Sequence, residues 1–109
     1  MPSRLLEIAV ADKPARVFPM NKPIVRIGRA QDNDIVLHDE RAVSRWHAVI
    51  SHEAEGPVML FDLESENGTF LNGWPIGQPV PVQPDDTIKI GNFRFVLREQ
   101  RVTPDGPHR

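Results

Sequence analysis

The chain has no cysteine and no tyrosine among its 109 residues. Without thiols, disulfides and thiolate metal sites are excluded. Net charge is nearly absent, −2 at pH 7. No global field therefore draws the chain to nucleic acid or anionic lipid, and any anion site must be local. Long apolar runs are missing too; none approaches the roughly 20 residues of a membrane span. The opening Met1-Pro2-Ser3-Arg4-Leu5-Leu6-Glu7 is no signal peptide, because Glu7 interrupts it before an apolar region builds. The expectation is a soluble, cytoplasmic module with neither nucleic acid nor membrane as partner. Helical periodicity is also lacking, and eleven prolines are spread along the chain, which argues against long helices. The length suits one domain with a single modest core.

What is present is short, β-like patterning. Leu6 to Val10 alternates and reads as a strand, as do Arg16-Val17-Phe18 and Ile24 to Ile27, the last ending at Gly28. Gln31 to Asp34 is polar turn material, and Ile35-Val36-Leu37 a short buried run. Trp46, Ala48 and Ile50 fall on one face of the next strand, and Val58 to Leu63 follows a Gly56-Pro57 turn. Thr69-Phe70-Leu71 lies between two Asn-Gly pairs, and Trp74 to Val82 is proline-punctuated and edge-like. Thr87 to Ile90 and Phe93 to Leu97 are joined by Gly91-Asn92, a hairpin signal. Roughly ten short strands predict an all-β sandwich or barrel. The globular part ends near residue 98, and residues 99–109 read as a flexible tail.

Several constellations have a plain explanation. Ser44 and His47 suggest a hydrolase, yet on a strand positions i and i+3 face opposite ways, and no nucleophile elbow or third member is present. The expectation is no enzyme and no cofactor. His38, His47 and His52 lack metal-ligand spacing, so no metal is expected. Asp32-Asn33-Asp34 begins like a calcium loop but lacks the later glycine and glutamate, leaving an Asx-rich turn. Asn72-Gly73 fits a type I′ turn.

Gly28-Arg29 matches neither a P-loop nor a dinucleotide fingerprint. A lone arginine after a strand is ordinarily solvated, but this one has company. Arg45 is a second guanidinium, and Ser44 a small donor. Arginine forks match phosphate oxygens. Asn67 can both donate to and accept from an extended peptide.

Three ordered segments, Gly28-Arg29, then Ser44-Arg45-Trp46-His47, then Asp62, Ser65, Asn67-Gly68-Thr69 and Asn72-Gly73, resemble the forkhead-associated (FHA) domain, a phosphothreonine-binding module. Asp85-Asp86-Thr87-Ile88-Lys89-Ile90-Gly91 resembles a late family hairpin, with Asp85 where glycine is usual. The resemblance covers about Leu5 to Leu97. It implies an antiparallel β-sandwich of about eleven short strands, FHA/SMAD-like, holding a phosphothreonine-containing protein or peptide in loops at one end. Arg29 and Ser44 would bind the phosphate, Arg45 would add charge, and Asn67 would bond the peptide main chain. His47 would fix the loops, with Gly28, Gly68, Thr69, Asn72 and Gly73 as structural support. Two departures stand out: Trp46, expected to cover a sheet face, and Glu66, an acid beside the expected ligand. Both favour the alternative, a phosphate-independent scaffold or oligomerisation domain. Thr103 beside Pro104 suits a proline-directed kinase. Once phosphorylated it would give self-association between chains.

Overall fold

The computed structural model describes residues 2–38, 41–53 and 56–101. Thr103 lies outside the described residues. Eleven strands run in chain order: β1 (Pro2–Val10), β2 (Arg16–Pro19), β3 (Ile24–Gly28), β4 (Ile35–Val36), β5 (Ala48–Ser51), β6 (Val58–Asp62), β7 (Phe70–Leu71), β8 (Trp74–Pro75), β9 (Val80–Val82), β10 (Thr87–Ile90) and β11 (Phe93–Arg101). They form two sheets, one ordered β2-β1-β11-β10-β7-β8, the other β4-β3-β5-β6-β9. The expected all-β sandwich is what the chain forms.

Alternation explains the layering. Leu6 and Ile8 of β1, Ile88 and Ile90 of β10, and Phe95 and Leu97 of β11 point inward and are buried. They meet Val25 and Ile27 of β3, Ala48 and Ile50 of β5, and Val58 and Leu60 of β6. Period-2 patterning thus gives each sheet one apolar face, and the two faces close on each other. The proline-rich stretch is edge material in both sheets: β8 ends the first and β9 the second. Pro75, Pro79 and Pro81 therefore interrupt no central ladder.

Three details depart from the sequence expectation. First, β3 and β4 are parallel, so the second sheet is mixed rather than antiparallel. A two-residue β4 makes this possible, because Ile35 is level with Ile27 and residues 29–34 need to climb back only about 3 Å. That short return is the loop carrying Arg29. Second, β1 and β11 are long, nine residues each. Glu99, Gln100 and Arg101, placed in the tail by composition, continue β11 opposite Arg4, Ser3 and Pro2. The directly opposed Arg4 and Glu99 form an ion pair at 3.1 Å, which favours that extension. Third, Trp46 precedes β5 and stands half exposed, off the buried face of Ala48 and Ile50.

Two turns show how local chemistry sets register. Asn72 (φ 51°) and Gly73 (φ 90°) both take positive φ, the type I′ signature. Asn72 Nδ2 donates to Asp86 Oδ1 at 3.0 Å, and its Oδ1 accepts from Thr87 N at 2.9 Å, pinning the β7–β8 turn to β10. Asp85 has φ 75°, a conformation glycine adopts freely. Its carboxylate pairs with Arg98, which also reaches Glu7. Asp85→Gly should be as stable as the parent, relief of backbone strain offsetting loss of a surface ion pair. Asp85→Val should lose about 1–2 kcal/mol, since a β-branched residue resists positive φ. Denaturant unfolding of the two variants checks this.

Candidate functional site

Three loops converge at the end of the sandwich that carries the Gly91-Asn92 turn. They are residues 29–34, residues 41–47 and residues 63–69, and each is held by backbone hydrogen bonds to its neighbours. The first two are joined closely. Arg29 N donates to Ser44 O at 3.1 Å, and Ala30 N to Arg45 O at 3.1 Å. A Cβ on Gly28 would lie 2.1 Å from Arg45 O, so any side chain there would force the loops apart. Gly28 is thus required by close approach rather than by backbone conformation.

Asn33 adds a staple that the sequence did not disclose. It is 7% exposed, and its Nδ2 donates to both Ala30 O and Arg45 O at 2.8 Å. The Asx-rich composition of residues 32–34 signalled a turn, but nothing local showed that the middle residue points inward. Asp34 closes the same loop, its Oδ2 accepting from Arg26 N at 2.8 Å while Lys22 pairs with its Oδ1.

His47 joins the second and third loops. It is fully buried. Ser44 N donates to its Nδ1 at 3.0 Å, and its Nε2 lies 2.9 Å from Gly68 O. A carbonyl can only accept, so the proton sits on Nε2 and the ring is neutral in this arrangement. Ser44 and His47 do meet, contrary to the expectation drawn from strand geometry. Ser44 lies in the loop before β5, and its backbone N–H, not its hydroxyl, reaches the ring.

The third loop explains its own motif. Asp62 Oδ1 accepts from Ser65 Oγ at 2.5 Å and from Thr69 Oγ1 at 2.7 Å, while Oδ2 accepts from Ser65 N at 3.1 Å. Ser65 Oγ in turn accepts from Gly68 N at 3.0 Å. Gly68 takes φ 91°, and Thr69 is fully buried. Asp62 and Ser65 were visible as motif letters, yet only the fold shows that they build the loop. Burial pushes the Asp62 carboxyl up, but the Ser65 and Thr69 hydroxyls and the Ser65 N–H outweigh it and hold it below the ordinary carboxylate value.

On this scaffold stand four polar groups. Arg29 is exposed; its Nε donates to Val43 O at 3.0 Å, which aims the two terminal nitrogens away from the loop. Ser44 Oγ accepts from Glu66 N at 3.0 Å, leaving its own proton to donate elsewhere. Arg45 is exposed. Asn67 is exposed, and its Nδ2 donates to Ala42 O at 3.2 Å. Among the described residues no carboxylate pairs with Arg29 or Arg45, in a chain holding 15 acidic and 13 basic residues. Gly73 and Asn72 sit one turn further on, shaping the β7–β8 hairpin rather than the three loops. Trp46 donates from Nε1 to Asp32 Oδ1 at 3.1 Å, so it braces the Arg29 loop instead of covering a sheet face. No group of three or more metal-ligating side chains occurs among the described residues.

Residues 25–91 match the FHA domain family. The chain is 35% identical over 95 residues to the glycogen accumulation regulator GarA of Mycolicibacterium smegmatis, covering 87% of this chain and 58% of that protein. It superposes with a TM-score of 0.77 on a domain studied for phosphothreonine-dependent FHA interactions, at 28% identity, covering 90% of this chain and 99% of the other. Mycobacterium tuberculosis EmbR in complex with a low-affinity phosphopeptide gives a TM-score of 0.77 and 32% identity, covering 91% of this chain and 25% of that one. The chain thus spans less than two thirds of GarA and a quarter of EmbR.

The Asp62 network carries a pH signature. A carboxyl depressed in the folded state contributes stability above its unfolded value, near pH 4, and that stability is lost as pH falls through the folded value. The stability difference between the parent and Asp62→Asn should be largest near neutrality and should shrink below about pH 4. Urea midpoints measured across that range check the sign.

Proposed function

The chain belongs to the FHA domain family, and from that premise we propose that Arg29, Ser44, Arg45 and Asn67 hold a phosphothreonine peptide. The observation that carries this is a pair of guanidiniums without a carboxylate partner among the described residues, on the loops that hold a serine hydroxyl already accepting from Glu66 N. A phosphothreonine brings a charge of about −1.5 to −2 and three acceptor oxygens. Two or three charge-assisted bonds of roughly 1.5–3 kcal/mol each, less the cost of ordering the peptide, support micromolar binding. Asn67, held to Ala42 O through Nδ2, keeps its carbonyl oxygen for the peptide main chain.

The same geometry favours binding without catalysis. Both His47 nitrogens are committed, one to Ser44 N and one to Gly68 O, so neither can take a proton from Ser44 Oγ. A cytoplasmic place of action accords with a ligand made by ATP-dependent kinases. No helix among the described residues is long and apolar enough to cross a membrane.

Arg29→Ala should abolish binding of a phosphothreonine peptide, a loss of about 2–5 kcal/mol. Stability should change by no more than about 1 kcal/mol, the worth of the bond to Val43 O. Titration calorimetry with the phosphorylated peptide and its unphosphorylated twin tests the proposal. Retained affinity in the variant removes Arg29 from the site.

Self-association through Thr103 belongs to the same reading. The site lies about 30 Å from the far end of β11, a nine-residue strand. Thr103 is two positions beyond Arg101, a reach of at most about 7 Å. A phosphorylated Thr103 therefore suits a second copy rather than its own site. Chains phosphorylated there should sediment as dimers or longer assemblies, and Arg29→Ala should return them to monomers.

A further inference from the structure

The loop end of the sandwich does not stop at Asn67. A groove of about 540 Å³ continues from Ala42 and Asn67 over the outer face of the first sheet, past Phe70 and Thr87 to Lys89 and Arg94. Lys89 and Arg94 alternate with the buried Ile88, Ile90 and Phe95, so they face solvent. They stand directly opposite each other in the β10–β11 ladder, and Lys89 is also opposite Phe70 of β7. Like charges placed so are destabilising. Among the described residues, the carboxylates of the same face do not relieve them. Glu7 and Asp85 both pair with Arg98, and Asp86 is held by Asn72 and Gln83. Two adjacent cations next to a phenylalanine, in a chain with net charge −2, leave an anionic partner as the natural complement.

We propose that this groove receives an acidic segment of the same phosphopeptide whose phosphothreonine sits at Arg29 and Ser44. The occupant must be continuous with the site, because Asn67 lines both. Phe70 is three residues beyond Asn67, and Lys89 and Arg94 lie one and two strand spacings across from it, which puts the two cations roughly 10–14 Å beyond Asn67, or about four to six extended residues from a phosphothreonine on its far side. Glu66 lies beside the phosphate end, so acids close to the phosphothreonine are repelled and acids further along are drawn in. The sheet face thereby adds a second condition to recognition: a phosphothreonine, followed or preceded at a distance by aspartate or glutamate.

This inference rests on the phosphopeptide reading, and the experiment separates the two. Fluorescence anisotropy would compare one phosphothreonine peptide carrying alanines with versions carrying aspartates four to six residues to either side. One acidic version should bind about three- to tenfold tighter at low ionic strength, and the gain should vanish in high salt. Arg94→Glu should erase that preference while keeping affinity for the alanine peptide. It also turns the pair with Lys89 attractive, so its melting temperature should hold or rise. If it does not fold, Lys89→Gln supplies the same comparison. The acidic segment added as a separate, unphosphorylated peptide should not bind measurably. Equal affinities for every phosphopeptide, a preference that survives Arg94→Glu, or tight binding of the separate acidic peptide overturns the proposal. Absence of binding by all phosphopeptides overturns the underlying reading and this one with it.

Discussion

The neutral His47 ring is the constraint on which the loop end depends. It is buried and has one acceptor and one donor, and the fold uses both on backbone groups of different loops. Removing either partner leaves a buried polar atom unsatisfied, which costs more than the bond contributes. Ser44 and Gly68 are therefore fixed relative to one another, and with them the Ser44 hydroxyl and the Asn67 side chain. Gly28 does the equivalent on the other side by steric exclusion, since its missing Cβ lets the Arg29 loop rest on Arg45 O. Two hydrogen bonds and an absent methyl together place Arg29, Ser44, Arg45 and Asn67 on three loops.

Preorganisation is what makes such a site useful. Loops that had to be ordered at the moment of binding would subtract their entropy from the affinity. Here the ordering is done in the free chain, by Asn33 across the first two loops and by Asp62, Ser65 and Thr69 within the third. The guanidiniums themselves are spared from these duties except for Arg29 Nε. The ordering falls instead to the Asn33 amide, the Ser65 and Thr69 hydroxyls, the His47 ring and the Asp62 carboxylate.

Much of this was legible in the sequence because the signals were local. Alternation in β1, β10 and β11 marked the buried faces, and Asn72-Gly73 declared its own turn. The family pattern placed Arg29, Ser44, Arg45 and Asn67 on loops, which is where they lie. What escaped was decided by distant backbone. Asn33 bonds to Arg45 O, twelve residues away. The parallel β3–β4 pairing rests on two residues of β4, too few to leave a pattern. The extension of β11 depends on Arg4 finding Glu99, a separation of 95 in sequence. Asp85 was seen to replace a glycine, but the reason, a positive φ, belongs to the backbone and not to the side chain.

The long pairing of β1 with β11 sets Pro2 opposite Arg101. Both ends of the described chain thus leave side by side, one sandwich length from the three converging loops. In mechanical terms the domain is a rigid stand-off. Whatever is joined at either end is carried about 30 Å from the loops that hold Arg29, Ser44 and Asn67. It hangs there on a two-strand root that tension on the two ends would peel open one rung at a time, a direction in which the ladder yields more readily than it would to shear.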